Sequence, residues 1–286
     1  MIWCRFQRNN DVGFGLVADD MVTAIEGEPW ADYRVTAVTY PIADVKLLVP
    51  VIPKTFYAAG ANYREHIEKR AALMGVQPKF GRKPSIGYRA NNALIAHDEA
   101  IVKPAGAGDH FEYEGELVAV IGKTGRNIPK ETALDYVFGW TIGNDVSERD
   151  WQDQDGSNLY RSKNSDTFKP MGPWIVTGLD PNELTTTVRL NGDVVDQFST
   201  GNMLWDTASY IAEISKTITF HPGDVIWLGT DGWPRNMVPG DVCEIEITSI
   251  GVLRNPIRAE VLPPEAYTGS DEAHLVEKLL ARQPSR

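Results

Sequence analysis

Short hydrophobic and alternating segments dominate the chain, and residues typical of turns separate them. Residues 117–121 are entirely apolar, a pattern that favours a buried strand. Residues 225–228 and 242–245 are also strand-like, and each segment follows a Pro-Gly-Asp turn. Alternating segments flank Asn191 and Gly192, and this dipeptide predicts a two-residue β-hairpin. The pattern therefore predicts many short strands.

Helical periodicity is confined to four segments, at residues 63–74, 132–136, 207–214 and 272–281. Because strands and helices do not alternate regularly and no segment is repeated, a β-dominated α+β fold is favoured. A β-sandwich or a lectin-like module would give the same spacing of turns. The fold class alone therefore decides nothing about function.

The first fifty residues form a pattern of their own. Two strand-like segments are separated by a turn at Asp19 and Asp20. Residues 47–53 contain two prolines and are typical of a linker. We therefore predict a small N-terminal β-rich domain over residues 1–53. A larger domain over residues 54–286 would follow and end in a helical extension.

Composition and charge narrow the possible partners. The net charge of -11 at pH 7 argues against nucleic acid or an anionic membrane, although a positive pocket could still bind an anionic substrate. Cys4 and Cys243 are the only cysteines, which excludes a disulfide framework. No apolar run is long enough for a signal peptide or a membrane span, so we expect a cytoplasmic protein.

Three glutamates alternate immediately before the apolar run at residues 117–121. If the strand extends back, Glu112, Glu114 and Glu116 share one face, where their like charges repel. A divalent cation would compensate, and oxygen ligands favour Mg²⁺, Mn²⁺ or Ca²⁺ over zinc. A solvated edge of acidic residues is the alternative that the spacing leaves open.

A second acidic group follows the apolar and aromatic residues 138–142. Asp145 lies where a loop would leave a core strand, so it is a candidate for a third metal ligand. Arg149 and Asp150 are adjacent, and we expect them to form an internal ion pair. Arg149 is also a candidate substrate-binding residue.

Four motifs in this order resemble the fumarylacetoacetate hydrolase family. They are FEYEGELVAVIGKTGRNIP, GNDVSERDWQ, KNSDTFKPMGPWI and HPGDVIWLGT, and the resemblance covers residues 55–257. It implies a mixed β-roll fold, a homodimer and a catalytic divalent cation, with Mg²⁺ as the first expectation. By the same resemblance, the metal ligands are Glu114, Glu116 and Asp145.

The resemblance also implies roles for residues around the metal. Lys163 matches the active-site lysine of the family, Gln152 matches a glutamine near the site, and Thr230 matches a position that contacts the distal end of the substrate. His66 matches the histidine of a short helix that closes over the site, and a histidine can transfer a proton near neutral pH. We expect residues 63–74 to form this lid.

The chain departs from the family pattern in three places. Many members have a glutamate three residues after the catalytic histidine, where this chain has Lys69. Glu68 is then a candidate catalytic partner of His66, and the adjacent Glu65 is the alternative, although regular helix geometry directs neither of them to His66. After Thr230 the chain reads DGWPR, and we expect Trp233 and Arg235 to shape the pocket. The third departure is the apolar stripe Leu275, Val276, Leu279 and Leu280, which we expect to pack on this subunit or its partner.

The resemblance implies an enzyme that hydrolyses a carbon–carbon bond of an acylpyruvate-type 2-oxo acid, through a metal-stabilised enolate. The first alternative is a decarboxylase, hydratase or isomerase of a related 2-oxo acid, because these reactions use the same enolate. The second alternative is a relative that binds a metal or ligand without catalysis.

Overall fold

The computed structural model describes residues 1–73, 75–156 and 158–262. Within these ranges strands predominate and helices are short. The β-dominated α+β class predicted from the sequence is confirmed.

The N-terminal residues form an antiparallel meander. Its strands are β1 (Ile2–Arg8), β2 (Asp11–Ala18), β3 (Met21–Gly27), β4 (Tyr33–Pro41) and β5 (Lys46–Leu47). The turn between β2 and β3 is at Asp19 and Asp20, as predicted, and both residues have positive φ angles of 49° and 59°. Two positive φ angles are typical of the type I′ turns that connect hairpin strands.

The remaining strands follow from residue 56 to residue 259. They are β6 (Phe56–Ala59), β7 (Ile86–Tyr88), β8 (Leu94–Ile95), β9 (Ile101–Lys103), β10 (Phe111–Glu112), β11 (Gly115–Ile121), β12 (Val137–Asn144), β13 (Ser147–Glu148), β14 (Lys169–Val176), β15 (Thr185–Leu190), β16 (Asp193–Ser199), β17 (Val225–Trp227), β18 (Val242–Ile247) and β19 (Gly251–Ala259). The α-helices are α1 (Arg64–Leu73), α2 (Arg149–Asp155), α3 (Tyr160–Asn164) and α4 (Thr207–Ser215). Short 3₁₀ helices cover Ile42–Asp44, Asn91–Ala93, Lys130–Tyr136 and Thr200–Asn202.

In the described ranges the strands form one large sheet, a five-stranded sheet and the two-stranded pair β10–β13. The large sheet has the order β4-β3-β2-β1-β14-β12-β11-β17-β6-β7, and the five-stranded sheet has the order β16-β15-β18-β19-β9. Most pairs are antiparallel, but β17 with β6, β14 with β8 and β19 with β9 are parallel. The sheets are therefore mixed, as predicted.

The N-terminal strands belong to the same large sheet as the strands that follow residue 53. Ile2 lies opposite Val176 and Trp3 opposite Ile175, so β1 adds directly to β14. The domain boundary at residue 53 stays a prediction.

The pair β11–β12 lies at the centre of the core. All seven residues of β11 are buried, and its two faces pack in different hydrophobic clusters. Glu116 of β11 lies opposite Gly143 of β12. A Cβ atom on Gly143 would lie 2.6 Å from the Trp227 ring, so only glycine allows this close approach. The Trp227 ring therefore packs directly against β12 at the position opposite Glu116.

Three of the four predicted helical segments lie in the described residues, and two of them form α-helices. Residues 63–74 and 207–214 correspond to α1 and α4, whereas residues 132–136 lie in a 3₁₀ helix. Residues 272–281, with the stripe Leu275, Val276, Leu279 and Leu280, lie outside the described residues, as does Met74.

The strand does not extend back from Gly115 to Glu112, so the condition under which Glu112, Glu114 and Glu116 would share one strand face is not met. The chain changes its pairing partner there: β10 pairs with β13, and β11 begins only at Gly115 and pairs with β12. Between them, the backbone N–H of Glu114 donates to Asn144 Oδ1 at 3.0 Å, which is a side-chain contact rather than a ladder bond.

Candidate metal centre and active site

Three carboxylates meet at one end of the β11–β12 pair. Glu116 lies in β11, Glu114 directly precedes that strand, and Asp145 directly follows β12. Because the strands are antiparallel, the start of β11 and the end of β12 lie side by side. One ligand oxygen from each of the three residues lies within 4.8 Å of the others, and all three side chains are buried. The sequence prediction named these same three residues.

Asp145 is surrounded by three cations. Arg89 donates to both of its carboxylate oxygens, at 3.0 and 2.7 Å. Lys163 Nζ lies 3.0 Å from Oδ2, and Lys169 Nζ lies 2.6 Å from Oδ1. Burial would raise the pKa of Asp145, but Arg89, Lys163 and Lys169 outweigh it and hold the pKa well below its usual range.

Glu114 also has cationic partners. Arg149 and Lys163 each contact one of its oxygens at 2.5 Å. Burial alone would raise the pKa of Glu114, but Lys163 and Arg149 lower it to about 2. Part of the charge compensation that we assigned to a divalent cation is therefore supplied by the protein.

The predicted ion pair between Arg149 and Asp150 was wrong. Arg149 contacts Glu114 and also Glu112, at 2.6 Å, whereas Asp150 accepts a hydrogen bond from His110 at 2.7 Å. Arg149 is the first residue of α2, and the tertiary fold places its side chain next to β10 rather than next to Asp150. Glu112 therefore serves to hold Arg149 and lies outside the carboxylate triad.

Glu116 differs from the other two carboxylates. Among the described residues, no cation lies within ion-pair distance of it; its Oε2 accepts one hydrogen bond, from the backbone N–H of Gly229 at 2.8 Å. Burial, with the charges of Asp145 and Glu114, raises the pKa of Glu116 to about 8. A buried carboxylate without an ion-pair partner is neutralised either by a proton or by a bound cation. The donor set fits a hard divalent cation, because all three ligands are carboxylate oxygens.

The triad lines an inner chamber of about 250 Å³. Its wall also includes the predicted residues Lys163, Arg149, Gln152 and Thr230. Arg149 donates to Gln152 Oε1 at 2.9 Å, so these two side chains are held together. Thr230 is buried and its hydroxyl donates to the carbonyl of Asp231 at 3.2 Å.

His66 lies in α1 and lines the same inner chamber, although it is far from the triad in sequence. Its side chain is buried, and its Nδ1 lies 3.3 Å from the carbonyl oxygen of Gly232. Glu68 does not reach it: its exposed carboxylate lies 3.4 Å from Arg64. Lys69 pairs with Glu65 on the outer face of α1. Glu68 is therefore not retained in the candidate site.

An outer chamber of about 370 Å³ adjoins the inner one. The two share His66, Arg70 and Arg149. Trp233 and Pro234 line the outer chamber, and Trp233 is 41% exposed. Arg235 is exposed and does not line either of these two chambers. Of the two residues predicted to shape the pocket, the structure thus places Trp233 in its wall.

Two cations of the site were missed in the sequence. Arg89 follows β7, and Lys169 begins β14 and is completely buried. Lys169 lies inside one of the four motifs. Its position before Pro170, at the start of an apolar strand, could have indicated a buried lysine near the site. Arg89 follows a short strand that has no distinctive pattern, and nothing near it in sequence indicates its contact with Asp145.

Together, the fold and the site define a β-dominated protein with a buried acidic triad inside a cationic pocket. Residues 55–258 match the family model described as fumarylacetoacetate (FAA) hydrolase C-terminal, and residues 1–50 match the model described as Rv2993c-like, N-terminal. The chain belongs to the fumarylacetoacetate hydrolase family, as the motifs predicted.

Proteins that are similar to this chain are named for several different activities. A solved structure of 5-carboxymethyl-2-hydroxymuconate delta-isomerase from Mycobacterium smegmatis is 34% identical, with a TM-score of 0.83 over 91% of this chain and 100% of that one. The mitochondrial oxaloacetate tautomerase fahd2 of Xenopus laevis is 35% identical over 75% of this chain and 69% of its own length. Maleylpyruvate hydrolase from Sphingobium sp. SYK-6, solved with manganese(II) and pyruvate, is 26% identical with a TM-score of 0.74, over 91% of this chain and 100% of that one.

These relatives establish an enzyme scaffold, and its known activities include hydrolysis, isomerisation and tautomerisation. They also support a divalent cation at the acidic triad. No helix within the described residues is long and apolar enough to cross a membrane.

Proposed function

We propose that the chain is a metal-dependent hydrolase that cleaves a carbon–carbon bond in an acylpyruvate-type 2-oxo acid. One observation carries the proposal: Glu116 is a buried carboxylate with no ion-pair partner among the described residues, in a chamber that His66 also lines. A divalent cation held by Glu114, Glu116 and Asp145, with Mg²⁺ as the first candidate and Mn²⁺ or Ca²⁺ as the others, would supply a Lewis acid that polarises the 2-oxo group.

The protein's own residues bind the substrate and move the proton. With a divalent cation compensating the three carboxylates, Lys163 and Arg149 would favour the carboxylate of the 2-oxo acid, with Gln152 beside them. Thr230 is proposed to contact the distal part of the substrate. His66 takes a proton from water, and the water oxygen attacks the distal carbonyl carbon.

The bond between that carbon and C3 of the pyruvate unit then breaks. Its electron pair forms the pyruvate enolate, and Lys163 stabilises the negative charge that develops. The proton taken by His66 returns to C3, so that the products are pyruvate and a carboxylic acid. Water is the only co-reactant.

The relatives favour a second candidate equally. An isomerase, tautomerase, hydratase or decarboxylase of a related 2-oxo acid would use the same chamber, and the names of the Mycobacterium smegmatis and Xenopus laevis proteins support this class. In an isomerase or tautomerase, His66 would move a proton between atoms of the substrate without activating water. We also propose a homodimer, since the family resemblance implies one and two-fold dimers are the commonest oligomers.

A substrate panel tests the proposal and examines the outer chamber. Because an outer chamber of about 370 Å³ adjoins the inner chamber that contains the triad, acylpyruvates with larger acyl groups should have higher kcat/KM than acetylpyruvate. Release of pyruvate and a carboxylic acid from an acylpyruvate indicates hydrolysis. Loss of the enol absorbance of oxaloacetate without release of pyruvate indicates tautomerisation. Pyruvate and CO₂ from oxaloacetate would indicate decarboxylation, and no turnover of any substrate would support the non-catalytic alternative.

Trp233→Ala should raise KM for the larger acyl groups by about 10-fold, the effect of one lost apolar contact in a binding pocket. KM for acetylpyruvate should change little, because its acyl group is too small to reach Trp233. Val238→Ala is the matched control, since Val238 is an exposed apolar residue that does not line either chamber. Equal effects of Trp233→Ala on small and large substrates would contradict the assignment of the outer chamber.

The acidic limb of the pH profile should lie below pH 6.5. Burial lowers the pKa of His66, and the charges of Arg149 and Lys163 lower it further, while Glu114 and the Gly232 carbonyl oppose them. A base is active in its neutral form, so a lowered pKa extends activity to lower pH. The profile of kcat/KM at saturating metal checks this, and a limb above pH 6.5 would show that another group controls the step.

A further inference from the structure

The segment Gly229–Gly232 contacts both the acidic triad and the proposed base. At one end, the Gly229 N–H donates to Glu116 Oε2 at 2.8 Å. At the other end, Asp231 Oδ1 accepts a hydrogen bond from the backbone N–H of His66 at 3.2 Å. The Gly232 carbonyl oxygen lies 3.3 Å from His66 Nδ1. Four consecutive residues therefore connect the metal side of the chamber with the helix that carries His66.

Asp231 acts as a cap for α1 from outside the helix. The first backbone N–H groups of a helix have no acceptor within it, and His66 is the third residue of α1. An aspartate oxygen is a favoured acceptor for such a group, and its negative charge also suits the positive end of the helix dipole. Asp231 is only 4% exposed, so little water is available to replace this bond. Its loss should loosen the first turn of α1.

The Gly232 carbonyl selects one form of the imidazole. A carbonyl oxygen only accepts hydrogen bonds, so the ring must donate its proton from Nδ1. The unprotonated Nε2 is then free to accept a proton from water. A backbone carbonyl can therefore orient the imidazole, and Lys69, which pairs with Glu65, takes no part in this.

Position 232 favours glycine. Its φ angle is +77°, a conformation that strains residues with a side chain, and an added Cβ would lie 1.9 Å from Asp196 Oδ2, so that the Asp196 carboxylate would have to move. The carbonyl that faces His66 is therefore held by a backbone conformation that glycine adopts without strain.

We propose that Asp231 is a positioning residue that holds α1 over the chamber, so that the Gly232 carbonyl sets His66 to act through Nε2. This inference rests on the proposed function, because it takes His66 as the base.

Asp231→Ala and Asp231→Asn provide the test. The alanine variant should lower kcat by ~10-fold or more, in the range of residues that orient an active group, with KM and Mn²⁺ affinity by calorimetry nearly unchanged. The asparagine variant keeps an oxygen acceptor and should restore kcat to within about 3-fold of the wild type, because the cap requires an acceptor more than a charge. Asp206→Ala is the matched control, since Asp206 caps α4 through the N–H of Ser209 at 2.8 Å and does not line the site. It should leave kcat unchanged.

Nitrogen-15 NMR of His66 gives a readout independent of turnover. The wild type and Asp231→Asn should show the form with hydrogen on Nδ1, and Asp231→Ala should show a mixture of the two neutral forms. Hydrogen on Nε2 in the wild type would overturn the inference, even if Asp231→Ala does not fold. So would an Asp231→Asn variant as impaired as Asp231→Ala, or unchanged kcat in Asp231→Ala. Full activity of His66→Ala would instead refute the proposed base, so the two failures are distinguishable.

Discussion

Glu116→Gln is expected to lose the divalent cation and nearly all turnover. Glutamine keeps the shape of the side chain and an oxygen that accepts from the Gly229 N–H. It removes the negative charge of Glu116, which has no ion-pair partner among the described residues. Lewis-acid stabilisation contributes several kcal/mol, which corresponds to a loss of ~10³-fold in kcat/KM. Elemental analysis after gel filtration and calorimetric titration with Mg²⁺ and Mn²⁺ measure the two losses.

Thermal unfolding separates loss of the metal from loss of the fold. Added cation should raise the Tm of the wild type, because it binds the folded state, and should not raise that of Glu116→Gln. Glu112→Gln is the matched control for the metal: it removes a nearby glutamate that contacts Arg149 and lies outside the triad. That control should keep one cation per chain. A Glu116→Gln protein with wild-type cation affinity would show that Glu116 is not a ligand.

His66→Ala should lower hydrolysis of the best acylpyruvate by ~10²-fold or more, the usual contribution of a general base. Metal affinity should not change, because His66 lines the chamber but is not part of the acidic triad. His221→Ala removes an exposed histidine in the turn before β17 and should leave turnover at the wild-type level. Full activity of His66→Ala with every acylpyruvate would remove it as the base. Oxaloacetate decarboxylation, which needs no activated water, would then become the preferred function.

The parts of the fold that depend on local sequence could be predicted. Asn191 and Gly192 form the expected hairpin turn, with φ angles of 55° and 88°, because the two residues themselves favour that conformation. Glu114, Glu116 and Asp145 come together as expected, because the motifs identify them and the strands that carry them are neighbours. Their role as metal ligands stays a proposal.

The features that were missed depend on distant parts of the chain. Arg89 is 56 positions from Asp145, and no local pattern records which carboxylate it contacts. The predicted partner of Arg149 was wrong because adjacency in sequence to Asp150 does not determine where the side chain of the first helix residue points. The Gly232 carbonyl could not be predicted as the orienting group, since every residue has a carbonyl and only the fold aims this one at His66.

Because β1 pairs with β14, the N-terminal meander covers the strand edge of β14 in the enzyme scaffold. Without it, the backbone groups of β14 around Ile175 and Val176 would be unpaired at the edge of a sheet, and Trp3, now 2% exposed, would no longer fill its place in the core. An open strand edge is a template for association with other chains. Exchanging this N-terminal unit between relatives would therefore be a problem of strand register: a replacement must offer backbone donors and acceptors opposite the same two residues of β14.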